Sequence, residues 1–179
     1  MKPLASQQDD SGVTISLPSQ APDKINSVVV VHVSGKLDIT TQGPETTADG
    51  SLILPAKAAY LHNNEGAKQI EVRDSEVPNI GYWTDPNAWI EWSVKYDKPG
   101  TYEVTGDVSV EAAKTQFQVG MPQKLSPVEV ESTGGYGNYK KKSFGTITIE
   151  KAGTYPLQII PEPKSWQPMN LRTVQLKLQ

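Results

Sequence analysis

The chain reads as an all-β protein: an antiparallel β-sandwich preceded by a β-hairpin-like remnant of an upstream sandwich. Three observations predict this. Short apolar or alternating segments recur with turn residues between them, and 14 Gly and 14 Pro supply those turns. No segment carries a helical period, and Ala112-Ala113 is too short to matter. The aromatic residues are also unevenly placed. The first 59 residues contain none, and all 13 lie between Tyr60 and Trp166. That shift predicts two units of different origin, residues 1–43 (terminal strands of an upstream sandwich plus linker) and residues 44–179 (a β-sandwich).

In the first unit, Val13, Ile15 and Leu17 alternate with Thr14 and Ser16, which predicts a half-buried strand ended by Pro18. Residues 28–33 are valine apart from His32, and Gly35 stops the run. A run apolar on both faces belongs in a sheet covered on both sides. Two strands alone are marginal in water. The pair is therefore expected to finish an upstream sandwich or to dock on the domain that follows. Residues 41–49, polar with Gly and Pro, read as a linker.

In the second unit, strands are predicted near 51–54, 57–61, 68–73, 88–96, 101–110, 115–120, 126–131, 143–150, 154–160 and 171–178. Gly turns such as Lys98-Pro99-Gly100 and Lys151-Ala152-Gly153 separate them. Each of these two turns leads into Thr-Tyr, and Tyr102 and Tyr155 are expected to be core rings closing the turn. In Leu171–Leu178, Arg172 shares a parity with Val174, Leu176 and Leu178, the core face. A guanidinium there needs a carboxylate or several carbonyls around it, and is expected to clamp the end of the sheet.

Composition excludes several functions. The net charge is −3, and Lys140-Lys141-Lys142 is the only basic run, expected to be a solvated loop end. Nucleic acid is not an expected partner. Cysteine is absent, which rules out disulfides and thiolate metal sites. No run reaches the ~18 apolar residues of a membrane span. The segment MKPLASQQDD has no apolar core, so no signal peptide is expected in this chain.

No catalytic residue, metal ligand or cofactor is predicted. His32 is expected to be an edge or core histidine, and His62 has no partner motif. Asp85 and Glu91 invite a paired-carboxylate reading, but Asp85 is better placed to organise the Asp-Pro turn and Glu91 to point outward from its strand.

The window Asn79–Trp92 holds three of the four tryptophans together with Tyr82. By strand alternation Trp92 shares a face with Ala88, Ile90 and Val94 and is a core ring. Trp89 lies on the polar face, open to ligand stacking or to packing against a neighbouring loop. Tyr82 and Trp83 sit in a loop, where rings meet ligands, and at least one is expected to plug the core. Tyr136 is framed by glycines in Thr133-Gly-Gly-Tyr-Gly and is the leading stacking candidate. Trp166, in the Pro-rich loop PEPKSWQP, is a further candidate or a ring folded onto the sandwich.

Taken together, Asn79-Ile-Gly-Tyr-Trp83, Asp85-Pro-Asn-Ala-Trp89, Lys98-Pro-Gly-Thr-Tyr102, Gly134-Gly-Tyr136, Lys151-Ala-Gly-Thr-Tyr155 and Met169-Asn-Leu-Arg-Thr-Val174 resemble the pattern of galactose-binding-like jelly rolls. Carbohydrate-binding modules of families 6 and 35 are the relatives named by that resemblance. It implies a loop-end sugar site formed by Tyr82 or Trp83, Tyr136 and Asn170, with rings stacking on sugar C–H faces and the amide reading hydroxyls. Family 6 modules often hold a structural calcium with two acidic residues. The equivalent positions here are Lys57 and Arg172, so that site is expected to be absent. Gly12-Val-Thr-Ile-Ser-Leu-Pro18 and Ala21-Pro-Asp-Lys-Ile-Asn-Ser-Val28 resemble the last strands of the C-terminal sandwich in family 29 α-L-fucosidases. The implied role is a non-catalytic glycan-binding module of a fucosidase-like hydrolase. Its implied partners are a glycan or oligosaccharide and the upstream catalytic domain, in an extracytoplasmic setting. The alternative is a structural domain that docks on the catalytic domain without binding sugar.

Overall fold

The computed structural model describes residues 4–9, 12–21, 23, 27–32, 44–64 and 69–179. The chain divides into two compact units, Met1–Ile39 and Thr40–Gln179.

In the first unit, β1 (Ser6–Asp9) pairs antiparallel with β2 (Gly12–Ile15), from Ser6 opposite Ile15 to Asp9 opposite Gly12. The valine segment behaves differently from its sequence expectation. Residues 27–32 form no strand, Val28 to Val31 are exposed, and so is His32. Val33 and Gly35 lie outside the described residues. Backbone pairing does not require apolar side chains, and the nearest segment costs least to bring together. The polar Ser6–Asp9 segment therefore supplies the partner that β2 takes.

The second unit is built from strands and one 3₁₀ turn, Ala56–Ala58, among the described residues. Its strands are β3 (Glu45–Thr46), β4 (Leu52–Pro55), β5 (Tyr60–His62), β6 (Glu71–Arg73), β7 (Asn79–Gly81) and β8 (Trp89–Tyr96). They continue with β9 (Gly100–Val110), β10 (Lys114–Met121), β11 (Lys124–Glu131), β12 (Lys140–Ile149), β13 (Gly153–Pro161) and β14 (Met169–Leu178). One sheet has the order β11-β10-β13-β8-β5. The other runs β12-β9-β14-β4-β3, with β7 added beside β14 and β6 beside β7. All pairings are antiparallel. Part of the expected linker is strand, because Glu45 and Thr46 pair with Ile53 and Leu52.

Alternation explains the core. In β8, Ile90, Trp92, Val94 and Tyr96 are buried while Ser93 and Lys95 are exposed. Trp92 is a core ring, as its parity requires, and its indole N–H donates to the Pro55 carbonyl of the opposite sheet at 2.9 Å. Tyr102 is buried and donates its hydroxyl to Lys98 O at 2.7 Å, closing the turn that precedes its strand. Tyr155 is half-buried with its ring against Gly153.

Two bulges interrupt the alternation. One lies between Ser143 and Gly145 and the other between Leu171 and Thr173. A bulge inserts an unpaired residue and changes which face its neighbours meet. The first lets Phe144 enter the core alongside Ile147 and Ile149. The second corrects the expectation for Arg172. Leu171 and Val174 are both buried, and Arg172 is the extra residue, half-buried rather than part of the core face.

Candidate functional site

The site is assembled where β7, β9 and β14 of the larger sheet meet the loop 132–139. Asn79 and Gly81 flank Ile80, which pairs with Leu171 of β14. Gly81 has no room for a side chain. A Cβ there would lie 2.8 Å from Arg73 Cδ, 3.2 Å from Asn170 Oδ1 and 3.3 Å from Asn79 Oδ1. The chain then turns sharply at Tyr82, whose φ is 52°, with Thr84 N donating to Tyr82 O at 2.8 Å. The left-handed region is unfavourable for a residue with a large side chain. Here it leaves Tyr82 44 % exposed, with the Arg73 guanidinium 5.2 Å from the ring centroid.

Loop 132–139 is anchored at Thr133, whose Oγ1 accepts from Val110 N at 2.9 Å and whose N–H donates to Val110 O at 2.9 Å. Gly134 and Gly135 follow with φ of 94° and 124°, backbone that glycine adopts without strain. Tyr136 comes next. Its carbonyl accepts from Ser109 Oγ at 2.8 Å and from Asn170 Nδ2 at 3.3 Å, while the residue stays 42 % exposed. Burial and the nearby Glu111 carboxylate both push the Tyr136 phenol above its usual range. Asn170 is 8 % exposed and also donates to Ser109 Oγ at 3.2 Å.

Three of the five sequence candidates therefore converge. The backbones carrying Tyr82 and Tyr136 both abut Asn170. The amide donor of Asn170 is spent on holding the loop, so its part differs from a simple hydroxyl reader.

The other two candidates are internal. Trp83 is 0 % exposed, and its indole donates to Ala88 O at 2.9 Å. Trp166 is 6 % exposed, lies 4.8 Å from Trp83 between centroids and donates to Trp83 O at 3.1 Å. Neither indole offers a face to a ligand. The cause is the Asp-Pro turn. Asp85 accepts from Asn87 N at 2.9 Å and Ala88 N donates to Asp85 O at 3.2 Å, which folds the loop back so that Ala88 O meets the Trp83 indole. A buried indole needs such a partner. Trp89 points outward but is occupied, stacked on His62 with centroids 3.7 Å apart and rings 4° from parallel.

Asp85 and Glu91 serve separate partners. The Asn87 N–H and the Asn64 amide hold the Asp85 carboxyl below the usual range. Glu91 accepts from Gln158 at 3.0 Å and lies 3.3 Å from His62 Nε2. Lys57 pairs with Asp74 at 2.9 Å. Arg172 lies 3.5 Å from the Tyr139 ring centroid, with Nη1 3.9 Å from Asp107 Oδ2. Among the described residues, no three acidic or imidazole side chains gather as a metal site would need.

Sequence reasoning missed Ser109 and Asn79. Ser109 has a signal of a kind, a hydroxyl on the outward parity of β9 directly opposite Asn170. Asn79 sits in a three-residue strand too short for periodicity to reveal.

Residues 53–168 match the family model described as Domain of unknown function (DUF5077). No curated protein matches the chain. Among solved structures, the chain is similar to the C-terminal CBM6 of LamC, a marine laminarinase from Zobellia galactanivorans. That match has 17 % identity and a TM-score of 0.59, over 71 % of this chain and 98 % of the other. A family 35 carbohydrate binding module from Clostridium thermocellum matches at 14 % identity and TM-score 0.59, over 70 % and 96 %. A carbohydrate binding module from Cellvibrio mixtus lichenase 5A, solved in complex with cellotriose, matches at 16 % and TM-score 0.55, over 71 % and 96 %. At such identities the likeness is one of fold, and the fold is the antiparallel β-sandwich of these modules.

Proposed function

The chain belongs to the DUF5077 family, and from its fold and exposed rings we propose that it is a non-catalytic glycan-binding module whose platform is formed by Tyr82, Tyr136 and Asn170. The observation that carries the reading is Tyr136. Its backbone is tied to Ser109 and Asn170 while its ring faces water. A ring held in place loses little freedom when a sugar stacks on it. Tyr82 is a second exposed tyrosine, and it follows Gly81, which packs against Asn170. Binding at one such site is expected to be weak, because sugar hydroxyls gain little net on leaving water.

The reading extends to the parent protein. The strand-Leu-Pro and Pro-Asp patterns of residues 12–18 and 21–28 support placing the module at the C-terminus of an extracytoplasmic, α-L-fucosidase-like hydrolase. There it would raise the local concentration of a catalytic domain at a glycan. Residues 1–43 would then be the end of the preceding sandwich and 44–179 the module.

Calorimetric titration of oligosaccharides into the 179-residue chain tests the platform. Tyr136→Ala and Tyr82→Ala should each weaken binding about tenfold with an unchanged circular dichroism spectrum. No heat with any glycan, or full affinity in both variants, overturns the proposal.

One observation favours a second reading. Val28, Val29, Val30 and Val31 are exposed together, an apolar run that an upstream sandwich or catalytic domain would cover. On that reading the chain docks on its own enzyme without binding sugar, and restoring the upstream sequence should sharply raise stability.

A further inference from the structure

Three consecutive side chains at the end of β5 each reach a different segment. β5 is the outermost strand of its sheet and only three residues long, Tyr60–His62. His62 stacks on Trp89 of β8, with centroids 3.7 Å apart and rings 4° from parallel. Asn63 closes on Ile70, its Oδ1 accepting from Ile70 N at 2.8 Å and its Nδ2 donating to Ile70 O at 3.3 Å. Asn64 donates to Asp85 Oδ2 at 3.1 Å. Asp85 in turn accepts from Asn87 N in the turn that brings Ala88 O to the Trp83 indole. The three contacts thus join an edge strand to the turn that follows Tyr82.

A strand this short has little backbone pairing to hold it, so these side chains decide how firmly it stays. The His62 contact is incomplete while the ring is neutral. Its Nε2 lies 3.3 Å from Glu91 Oε1, yet this buried atom has no hydrogen-bond partner among the described residues. Gln158 donates to Glu91 Oε2 at 3.0 Å, which fixes the carboxylate beside the imidazole. A neutral imidazole has one ring N–H and a charged one has two. Protonation ensures that Nε2 carries a proton to share with Glu91. It also lays a positive ring on the indole face, where the π-electrons attract it. The groups facing His62 among the described residues are Glu91 from β8, Tyr60 on its own strand and, through Asn64, Asp85. From β13 the facing side chain is the uncharged Gln158. No lysine or arginine among the described residues pairs with Glu91 in competition with His62.

We infer that His62 is a proton-operated latch. Charged, it locks β5 against β8 and, through Asn64, braces the Asp85 turn beside Tyr82. Neutral, it lets the edge strand loosen. The inference stands apart from the glycan-binding reading, since it concerns the fold without a ligand. Between pH about 5 and about 8, where imidazoles change charge, Asp85 stays ionised because the Asn87 N–H and the Asn64 amide hold its carboxyl below the usual range. Opening of an edge strand is local and precedes global unfolding, so hydrogen exchange reports it and the melting temperature does not.

The test is NMR-detected hydrogen exchange on the 179-residue chain. Protection factors are compared rather than rates, because intrinsic exchange itself varies with pH. The β5 amides should be about fivefold better protected at pH about 5.5 than at about 8. The amides of the turn at residues 83–88 should shift along the same titration curve as the His62 ring protons. The chain has two histidines, and His32→Gln identifies the His62 signals. His62→Phe keeps a stacking ring but takes no proton, so β5 protection should become independent of pH. Glu91→Gln removes the charge and should shrink the difference severalfold. Asn64→Ala should preserve the β5 difference while uncoupling the turn. Equal protection of the unaltered chain at both pH values overturns the inference. So does a full difference surviving in His62→Phe or in Glu91→Gln, and so do turn amides that ignore the His62 curve.

Discussion

Tyr82 combines two features that seldom occur together: a large side chain and a φ of 52°. An aromatic residue in the left-handed region costs of order 1–3 kcal/mol, which the surrounding structure must offset. Here the offset comes from Gly81 packed against Asn170 and from Trp83 buried one residue later. The strained backbone is what places adjacent rings on opposite sides, Trp83 inward and Tyr82 outward. This makes a prediction at the level of one residue. Tyr82→Gly should be about 1 kcal/mol more stable to urea than Tyr82→Ala, because glycine adopts this φ freely and alanine does not. Both variants lose the ring, so on the proposed function both should bind glycan about tenfold more weakly. Equal stabilities of the two would show that position 82 is not strained. Asn170 shows the same economy at a single side chain. The family resemblance implies that its amide reads sugar hydroxyls, yet its donor goes to Ser109 and the Tyr136 carbonyl.

At the level of elements, the bulges decide what a strict two-residue period cannot. Phe144 enters the core at the bulge of β12 and lies edge-to-face with Phe117, centroids 5.0 Å apart and planes at 82°. It also lies directly over Gly106 of β9, where a Cβ would sit 2.1 Å from Phe144 Cζ. Glycine is required at 106 because an aromatic ring occupies the volume a methyl would need. Gly106→Ala should destabilise the protein by about 1–3 kcal/mol, the usual cost of overpacking. Adding Phe144→Leu should recover part of that loss, so the double variant falls short of the sum of the singles. Strict additivity in urea unfolding would contradict the packing described here. The bulge of β14 acts in the other direction. It lifts Arg172 off the core face that its parity assigns and sets it against Tyr139.

At the scale of the whole molecule, the carboxylates with shifted acidity among the described residues all shift the same way. Asp49 is held down to about 2 by hydrogen bonds from the Thr47 hydroxyl and from the Ser51 N–H and hydroxyl. Hydrogen bonds from Lys57, the Asn87 N–H, Lys114 and Lys124 lower Asp74, Asp85, Glu129 and Glu150 respectively. A carboxylate whose folded pKa lies below its unfolded value stabilises the fold fully above the unfolded value and loses that contribution as pH falls through the folded one. The melting temperature should therefore hold steady down to pH about 5 and decline below about 4. Asp49→Asn should flatten the lowest part of that decline, because Asp49 titrates down to about 2. A melting temperature independent of pH down to about 2 would contradict this linkage.

The all-β class, most strand positions, Trp92 in the core and Tyr136 as an exposed ring were readable from sequence, because alternation and glycine turns are local and each strand announces its own buried face. Other features depended on contacts between segments far apart in the chain. Examples are Trp83 hydrogen-bonded to a carbonyl that a loop folds back to it, Trp166 packed upon Trp83, and Arg172 displaced by a bulge. Tertiary structure alone decided those, because a side chain's face is set by its own strand only until a bulge, a turn or a distant ring claims the same space.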